Sequence, residues 1–305
     1  MLTPFRQDLS LDLPAVDALT DWYLDNGAQG LFAVCLSSEM YHLNEEERLT
    51  LAGRVARRAA GRAPVIAAGV FGGSLQSQAQ FTRRLAEAGV AAVVLVVNQF
   101  AEADDPDAVW QAHVAEFLDQ TAAVPLGLYE CPAPYHRRLS VELLSWAART
   151  GRFVWMKDTC CDAEAERAKI AAVHGTPLRW FNAHVPTLLS SLQAGGDGYS
   201  GTAANLYPEL FAWLCRNYAA YPPEAAALQR LLTLWDVVIR PRYPQSAKVF
   251  LQRRGLPLSD ACRVSVAAAS PPGEEQLVHD CLLAELAEVK SRLPAGVPST
   301  LQEVG

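Results

Sequence analysis

Lysine is scarce in this chain of 305 residues. Of its 26 basic residues, 22 are arginines, and the four lysines are Lys157, Lys169, Lys248 and Lys290. Since arginine supplies nearly all of the positive charge, the setting of each lysine merits inspection. The 33 acidic residues outnumber the basic ones and give a net charge of −7. This balance excludes the basic footprint that nucleic-acid binding requires.

Long apolar runs are also missing. The run Ala91–Val97 is far shorter than the roughly 18 residues that cross a bilayer. The first residues lack a charged stretch followed by an apolar core, so the sequence predicts no signal peptide. Seven cysteines is an odd number for a disulfide framework. We therefore expect a cytoplasmic protein with reduced thiols and no membrane partner.

Motifs that mark several enzyme classes do not occur. No Gly-rich loop follows the first apolar run, which argues against an open dinucleotide-binding sheet. The six histidines show neither an H-x-H nor an H-E-x-x-H spacing, and the cysteines form no C-x-x-C pair. We expect no metal and no cofactor. Three cysteines at predicted strand ends are interpreted as small buried thiols rather than ligands, namely Cys35, Cys131 and Cys160.

The chain alternates short apolar runs with longer amphipathic stretches. The runs lack polar residues at alternate positions, which is typical of parallel strands covered on both faces. Seven strands are predicted, over Leu31–Cys35, Pro64–Val70, Ala91–Val97, Pro125–Tyr129, Phe153–Met156, Leu178–Phe181 and a weaker Gly198–Ala203. Met1–Thr3 is expected to supply an eighth. The roughly 30-residue spacing predicts an α/β fold, a (β/α)8 TIM barrel.

Helical patterns lie between the strands and continue after them. Asn44–Glu47 is typical of a capping box, and Gly27 suits the residue that follows a helix. After the strands stop, four helices are predicted, over Tyr207–Asn217, Glu224–Ile239, Gln245–Arg253 and Gly273–Leu293. We therefore predict a barrel over 1–206, a helical C-terminal extension over 207–293 that packs on it, and a loose tail over 294–305.

Reactive side chains cluster at the predicted carboxyl ends of the strands, where barrels of this kind carry their active sites. Lys157 follows the apolar run Phe153–Met156, and burial of an ammonium lowers its pKa. A partly neutral lysine can attack a carbonyl and form a Schiff base. Tyr129 ends the preceding strand, 28 residues earlier, where its hydroxyl can transfer protons. Ser37 could relay them. Alternatively, such a lysine extends into solvent or pairs with Asp158.

Five segments, in order along the chain, resemble motifs of the dihydrodipicolinate synthase and N-acetylneuraminate lyase family of Schiff-base aldolases. They are Thr3–Phe5, Gly30–Glu39, Leu128–Pro132, Met156–Asp158 and Gly195–Pro208. The resemblance implies a (β/α)8 barrel with a helical C-terminal part that assembles as a homo-oligomer, a dimer or a homotetramer. It also implies pyruvate or a related 2-oxo acid as one substrate and an aldehyde or sugar acid as the other.

The resemblance further implies roles for individual residues. Lys157 would form the imine, Tyr129 would be the general acid/base, and Ser37 would hydrogen-bond this tyrosine and the substrate carboxylate. Further substrate-binding residues are expected at the same mouth, namely Ser38, Ser200, Gly201 and Glu130.

The chain departs from the family pattern where the second substrate binds. Ala101 stands at about the position of a tyrosine that reaches into the neighbouring subunit, and Pro134 stands at the position of a substrate-binding arginine. Glu130 replaces an asparagine, and its charge should disfavour a dianionic substrate. The arginine could be replaced by nearby basic residues, which could equally be solvated charges: His136, Arg137 and Arg138.

Three functions remain open from the sequence. The first is a lyase that adds or removes an aldehyde, or dehydrates a 2-keto-3-deoxy acid, through an imine on Lys157. The second is a barrel without turnover that binds a 2-oxo acid as a sensor or assembly protein, motivated by Leu36, Ala101 and Pro134 at family positions. The third, a metal-dependent barrel hydrolase, would contain bound zinc or iron.

Overall fold

The core of the molecule is one curled, fully parallel sheet of seven strands that pair in chain order. The computed structural model describes residues 1–267 and 273–294. The strands are β1 Leu31–Val34, β2 Val65–Ala68, β3 Ala92–Val96, β4 Leu126–Tyr129, β5 Phe153–Asp158, β6 Arg179–Asn182 and β7 Gly198–Tyr199. Both faces of β1 to β4 are buried, as the unalternated apolar runs predict. The prediction of a barrel-type α/β fold is confirmed.

Helices follow the strands and cover the sheet. They are α1 Leu13–Asp25, α2 Glu45–Ala59, α3 Leu75–Glu87, α4 Asp107–Gln120, α5 Val141–Arg149, α6 Ala163–Val173, α7 Leu188–Gln193 and α8 Pro208–Asn217. The capping box before α2 is present, because Asn44 Oδ1 accepts from Glu47 N–H at 2.9 Å and Asn44 N–H donates to Glu47 Oε2 at 3.0 Å. Gly27 follows α1 with a φ of +88°, which favours glycine.

The expected eighth strand is absent from residues 1–3. Met1–Thr3 forms no ladder, although the Met1 nitrogen donates to Phe32 O at 2.8 Å and Leu2 is buried. After Pro4 the chain turns away, and Phe5 forms an isolated antiparallel bridge with Leu11. The weak seventh strand is also shorter than predicted, because residues 202–205 form a 3-10 turn. In the part of the chain that the structure describes, β1 and β7 do not pair.

Three further helices follow in the described residues, α9 Pro222–Val238, α10 Gln245–Arg253 and α11 Glu274–Arg292. Their bounds agree with the predicted helices to within two residues. The division into barrel and extension stays a prediction, and the predicted tail lies outside the described residues except for Pro294. None of the helices described is both long and apolar enough to cross a bilayer.

The C-terminal helices are tied to the first strand-end segment. Glu39 follows the 3-10 turn Leu36–Ser38, and its buried carboxylate accepts from Lys248 Nζ on α10 at 2.9 Å. The same carboxylate accepts from the backbone N–H groups of Arg263 at 2.6 Å and Val264 at 2.9 Å. The segment that carries Ser37 is therefore held in place by residues more than 200 positions downstream.

Candidate active site

Lys157 and Tyr129 lie side by side at the carboxyl ends of neighbouring strands. The register of β4 and β5 pairs them directly, and Lys157 Nζ lies 4.8 Å from the centroid of the Tyr129 ring. Both side chains are buried, with 8% of Lys157 and 2% of Tyr129 exposed. The structure thus brings together the two residues that their spacing predicts at one level.

Burial lowers the pKa of Lys157 from its usual 10.5, opposed in part by the nearby thiols of Cys35 and Cys131. Over the described residues, Lys157 forms no ion pair with a carboxylate. The free-energy cost of removing the ammonium from water is therefore only partly offset, and the neutral amine is favoured. A neutral amine is the form that attacks a carbonyl.

Burial also raises the pKa of Tyr129 well above 10, reinforced by Cys131 and Cys35. The ring of Phe32 packs edge-on against it at a centroid distance of 5.7 Å. Tyr129 therefore stays a protonated phenol at neutral pH, which can donate a proton to a developing negative charge and recover it afterwards.

Ser37 lines a cavity of about 410 Å³ together with Lys157, Ser200 and Gly201. This cavity follows the inner side of the sheet, from Pro64 and Ala91 at the amino ends of the strands to Lys157 at the carboxyl ends, and its size suits a small organic substrate. Gly201 has to be a glycine, because a Cβ there would lie 2.1 Å from the Tyr199 hydroxyl oxygen and 2.7 Å from Ala183 O. Ser37, Ser200 and Gly201 thus line the same cavity as Lys157.

Ser37 adjoins a chain of polar side chains that the sequence pattern at the strand ends does not predict. The Tyr243 hydroxyl contacts Ser37 and accepts from Asn205 Nδ2 at 2.8 Å. Tyr23 in turn donates to Asn205 Oδ1 at 2.7 Å. Tyr243 lies in the C-terminal part, beyond every strand, so only Asn205, in a segment with a family-like motif, offered a signal.

Two predicted substrate-binding residues lie elsewhere. The Ser38 hydroxyl accepts from Cys35 N–H at 2.7 Å and donates to Cys35 O at 2.6 Å, so it closes the 3-10 turn instead of facing the cavity. Glu130 is fully buried and pairs with Lys169 at 2.7 Å. Side chains alternate along a strand, so the residue after the inward Tyr129 points outward, away from the mouth.

The loop after β4 is held in place by hydrogen bonds to the segment after β3. Asn98 Nδ2 donates to three carbonyls of this loop, including Tyr135 O at 2.6 Å, and the Tyr135 hydroxyl donates to Ala101 O at 2.5 Å. Arg137 is buried and donates to Glu102 O and to Asp107 at the start of α4. This arginine therefore supports the loop and does not replace the arginine missing at Pro134.

Among the described residues, one group has the composition of a metal site. It consists of Asp158, Cys160 and Glu166, whose ligand atoms lie within 4.8 Å of one another. Its carboxylates already have partners, since Asp158 accepts from Lys169 and Glu166 accepts from Thr187 at 2.7 Å. The Lys169 ammonium supplies the positive charge that a metal would bring, so we assign no ion here.

Comparisons with known proteins identify relatives of this chain. The 4-hydroxy-tetrahydrodipicolinate synthase of Gluconacetobacter diazotrophicus is 28% identical over 269 residues, which are 88% of this chain and 89% of that protein. The Bacillus subtilis synthase is 28% identical over 259 residues, 84% of this chain and 88% of that protein.

Two solved structures with similar folds contain pyruvate. The E. coli K12 prophage protein YagE, of the dihydrodipicolinic acid synthase family, superposes with a TM-score of 0.80 at 23% identity and covers 94% of this chain and 96% of its own. The chloride-inhibited dihydrodipicolinate synthase from Acinetobacter baumannii gives 0.80 at 21% identity, covering 96% and 97%. A profile of the Dihydrodipicolinate synthetase family matches residues 1–282, and this chain belongs to that family.

Proposed function

We propose that the protein is a Schiff-base lyase that acts on pyruvate or a related 2-oxo acid. One observation carries this proposal: Lys157 is a buried amine that has no carboxylate partner among the described residues, set in register beside a buried tyrosine. Relatives that were solved with pyruvate support the choice of the 2-oxo acid.

The proposed reaction begins when neutral Lys157 attacks the carbonyl carbon of the 2-oxo acid. The carbinolamine that forms loses water and leaves a protonated imine, which withdraws electrons from the adjacent carbon. Loss of a proton from that carbon gives an enamine, a carbon nucleophile that attacks an aldehyde. In the reverse direction, carbon–carbon cleavage gives the same enamine. Hydrolysis of the imine then releases the product and restores the lysine.

Tyr129 is the proposed group that moves protons in these steps, because its ring lies against Lys157 Nζ. Ser37 and Tyr243 are proposed to pass protons between Tyr129 and the polar chain that ends at Tyr23. Ser37, Ser200 and Gly201 are proposed to bind the substrate, since they share the cavity wall with Lys157.

The second substrate is proposed to be an aldehyde or sugar acid without a second carboxylate. Pro134 offers no cation, and Arg137 is engaged with the start of α4. A second cavity, of about 320 Å³, is lined by Tyr243, His184, Thr202 and Arg240. Because Arg240 is paired with Asp236, this cavity has little net positive charge and suits hydroxyl groups better than a dianion.

The direct test is borohydride reduction in the presence of pyruvate, followed by peptide mass mapping. We expect a pyruvate adduct on Lys157 and none in the Lys157→Met variant. An unmodified Lys157 peptide would refute the proposal. Trapping without turnover, across a panel of aldehydes and 2-keto-3-deoxy acids, would favour the non-catalytic binder instead.

Oligomeric state and location stay predictions. A homo-oligomer is proposed because α9 exposes the apolar side chains Leu234 and Val237, with 67% and 64% of each exposed. Light scattering of the purified protein tests it, with a dimer or tetramer as the expected result. A cytoplasmic location, predicted from the sequence, is tested by cell fractionation.

A further inference from the structure

The residues that directly follow Tyr129 and Lys157 are both carboxylates that point out of the barrel. Glu130 and Asp158 have fully buried side chains, on the side of the sheet that α6 covers. Lys169, on α6, donates from Nζ to Glu130 Oε1 and to Asp158 Oδ2, both at 2.7 Å. One ammonium therefore bridges the ends of the two strands that carry the candidate catalytic residues.

The remaining carboxylate contacts extend this bridge to the loops. Glu130 Oε1 also accepts from Leu139 N–H at 2.8 Å, in the loop after β4. Asp158 Oδ1 accepts from Cys160 N–H at 2.7 Å, in the loop after β5. Each carboxylate thus joins a strand end, its following loop and α6, and few oxygen lone pairs remain unused.

A cluster of this kind is a poor device for stability alone. Taking ions out of water carries a large free-energy penalty, and apolar side chains of similar volume often serve as well or better. Two carboxylates share one ammonium, and burial together with Asp158 raises the pKa of Glu130 to about 7, although Lys169 lowers it. Directional bonds between two strand ends do provide what apolar packing cannot, a fixed relative position of the adjacent side chains.

We propose that Lys169 is a positioning residue, which through Glu130 and Asp158 fixes the placement of Tyr129 relative to Lys157. The inference rests on the proposed function, since it concerns proton transfer at the imine. Lys169 lies on the opposite side of the strands from the cavity and contacts no reacting atom. Loss of Lys169 should therefore lower the rate of proton transfer by Tyr129 more than the amount of imine that Lys157 holds at equilibrium, because that amount does not depend on how fast protons move.

Two measurements with pyruvate separate these steps. Borohydride trapping reports the imine, and exchange of the pyruvate methyl protons in D2O reports the proton transfer that forms the enamine. We expect Lys169→Met to retain trapping within threefold of wild type and to lose exchange by tenfold or more. Lys169→Arg, which restores a cation, should recover part of the exchange.

The matched control is Lys290→Met. Lys290 also lies on an outer helix and faces a buried glutamate, Glu209, which keeps Arg254 as a partner. We expect this variant to trap and exchange as wild type does. Should Lys169→Met not fold by circular dichroism, the variant Glu130→Gln/Asp158→Asn/Lys169→Met removes all three charges together and replaces it in the test.

The outcomes are distinct. Wild type that neither traps nor exchanges refutes the proposed function itself. Wild type that does both, with a folded Lys169→Met or neutral triple variant that exchanges within twofold of it, overturns the positioning role. A parallel fall in trapping and exchange, in proportion to the folded fraction, also overturns it, because a merely structural role predicts that result.

Discussion

Lys157 and Lys169 are two buried lysines only twelve residues apart, with 8% and 3% of each exposed, yet their surroundings are opposite. Lys157 faces an aromatic ring and two thiols, and burial lowers its pKa. Lys169 suffers the same desolvation, but Glu130 and Asp158 outweigh it and raise the pKa. Burial therefore lowers the pKa of a lysine only where no nearby carboxylate outweighs the loss of hydration.

The two settings also have opposite consequences for stability. A lysine whose pKa is lower in the folded than in the unfolded state makes the native protein less stable at neutral pH, and this effect fades as the pH rises towards 10.5. For Lys169 the pKa is raised, so its stabilisation is complete below 10.5 and is lost only as the pH rises through the folded value. The comparison separates the amine proposed to form the imine from the amine proposed to position the residues around it.

The largest expected effect comes from replacing Lys157. Lys157→Met should abolish trapping and turnover, because Lys157 is the amine whose strand register places it beside Tyr129, whereas the Met1 amine, which belongs to another lining residue of the cavity, is bound to Phe32 O. The same change removes an uncompensated buried cation, so the free energy of unfolding should rise by about 1 kcal/mol at neutral pH. Thermal melts from pH 7 to 10 check this, and the gain should shrink as the pH rises. A lower melting temperature would contradict the assigned surroundings.

The identical substitution at Lys169 should have the opposite effect on stability. Lys169→Met leaves two buried carboxylates without a counter-charge, which costs about 3–5 kcal/mol of unfolding free energy. Urea unfolding monitored by circular dichroism measures the difference, and Lys290→Met is again the control. A loss below 1 kcal/mol would show that Glu130 and Asp158 do not depend on this ammonium.

A carboxylate placed beside Lys157 should make it resemble Lys169. Cys35 lies close enough to interact electrostatically with the amine. Cys35→Asp should therefore raise the pKa of Lys157 and shift the pH dependence of trapping upward by about one unit, a roughly tenfold loss of imine at neutral pH. Cys35→Asn, similar in size but neutral, is the control and should leave the pH dependence in place. Equal behaviour of the two variants would argue against the electrostatic explanation.

The smallest expected effect concerns the polar chain beyond Ser37. Tyr243→Phe removes the hydroxyl that accepts from Asn205, and deuterium exchange of pyruvate should slow by roughly threefold while trapping persists. Tyr23→Phe breaks the far end of the same chain and should have a smaller effect. Exchange at the wild-type rate in Tyr243→Phe would remove this residue from the proton path.

Much of the fold could be predicted because strands buried on both faces have an unmistakable composition. That composition predicts the runs at β1 to β6, whereas helical patterns predict the three last helices. The strand predictions for residues 1–3 and 200–203 were wrong, because three residues before a proline and a glycine-rich segment carry too little apolar pattern to distinguish a strand from a turn.

The part of the candidate site that lies on strands could be predicted, because the spacing of the strands sets which residues are neighbours. One βα unit separates Tyr129 from Lys157, so their register follows from spacing. Glu130 does not lie at the mouth as the family motif predicts, because side chains alternate along the strand and Glu130 points outward. Tyr243 could not be found, since contacts between segments far apart in sequence leave no local pattern.

The contact between Glu39 and the C-terminal part has a consequence for the order in which the protein matures. Glu39 is made more than 200 residues before its partners Lys248, Arg263 and Val264. At about 5–20 residues per second, the segment bearing Ser37 waits roughly ten seconds or more for them. A nascent chain can therefore carry Lys157 before the segment with Ser37 is held in place, so the proposed activity should arise only after Val264 has emerged.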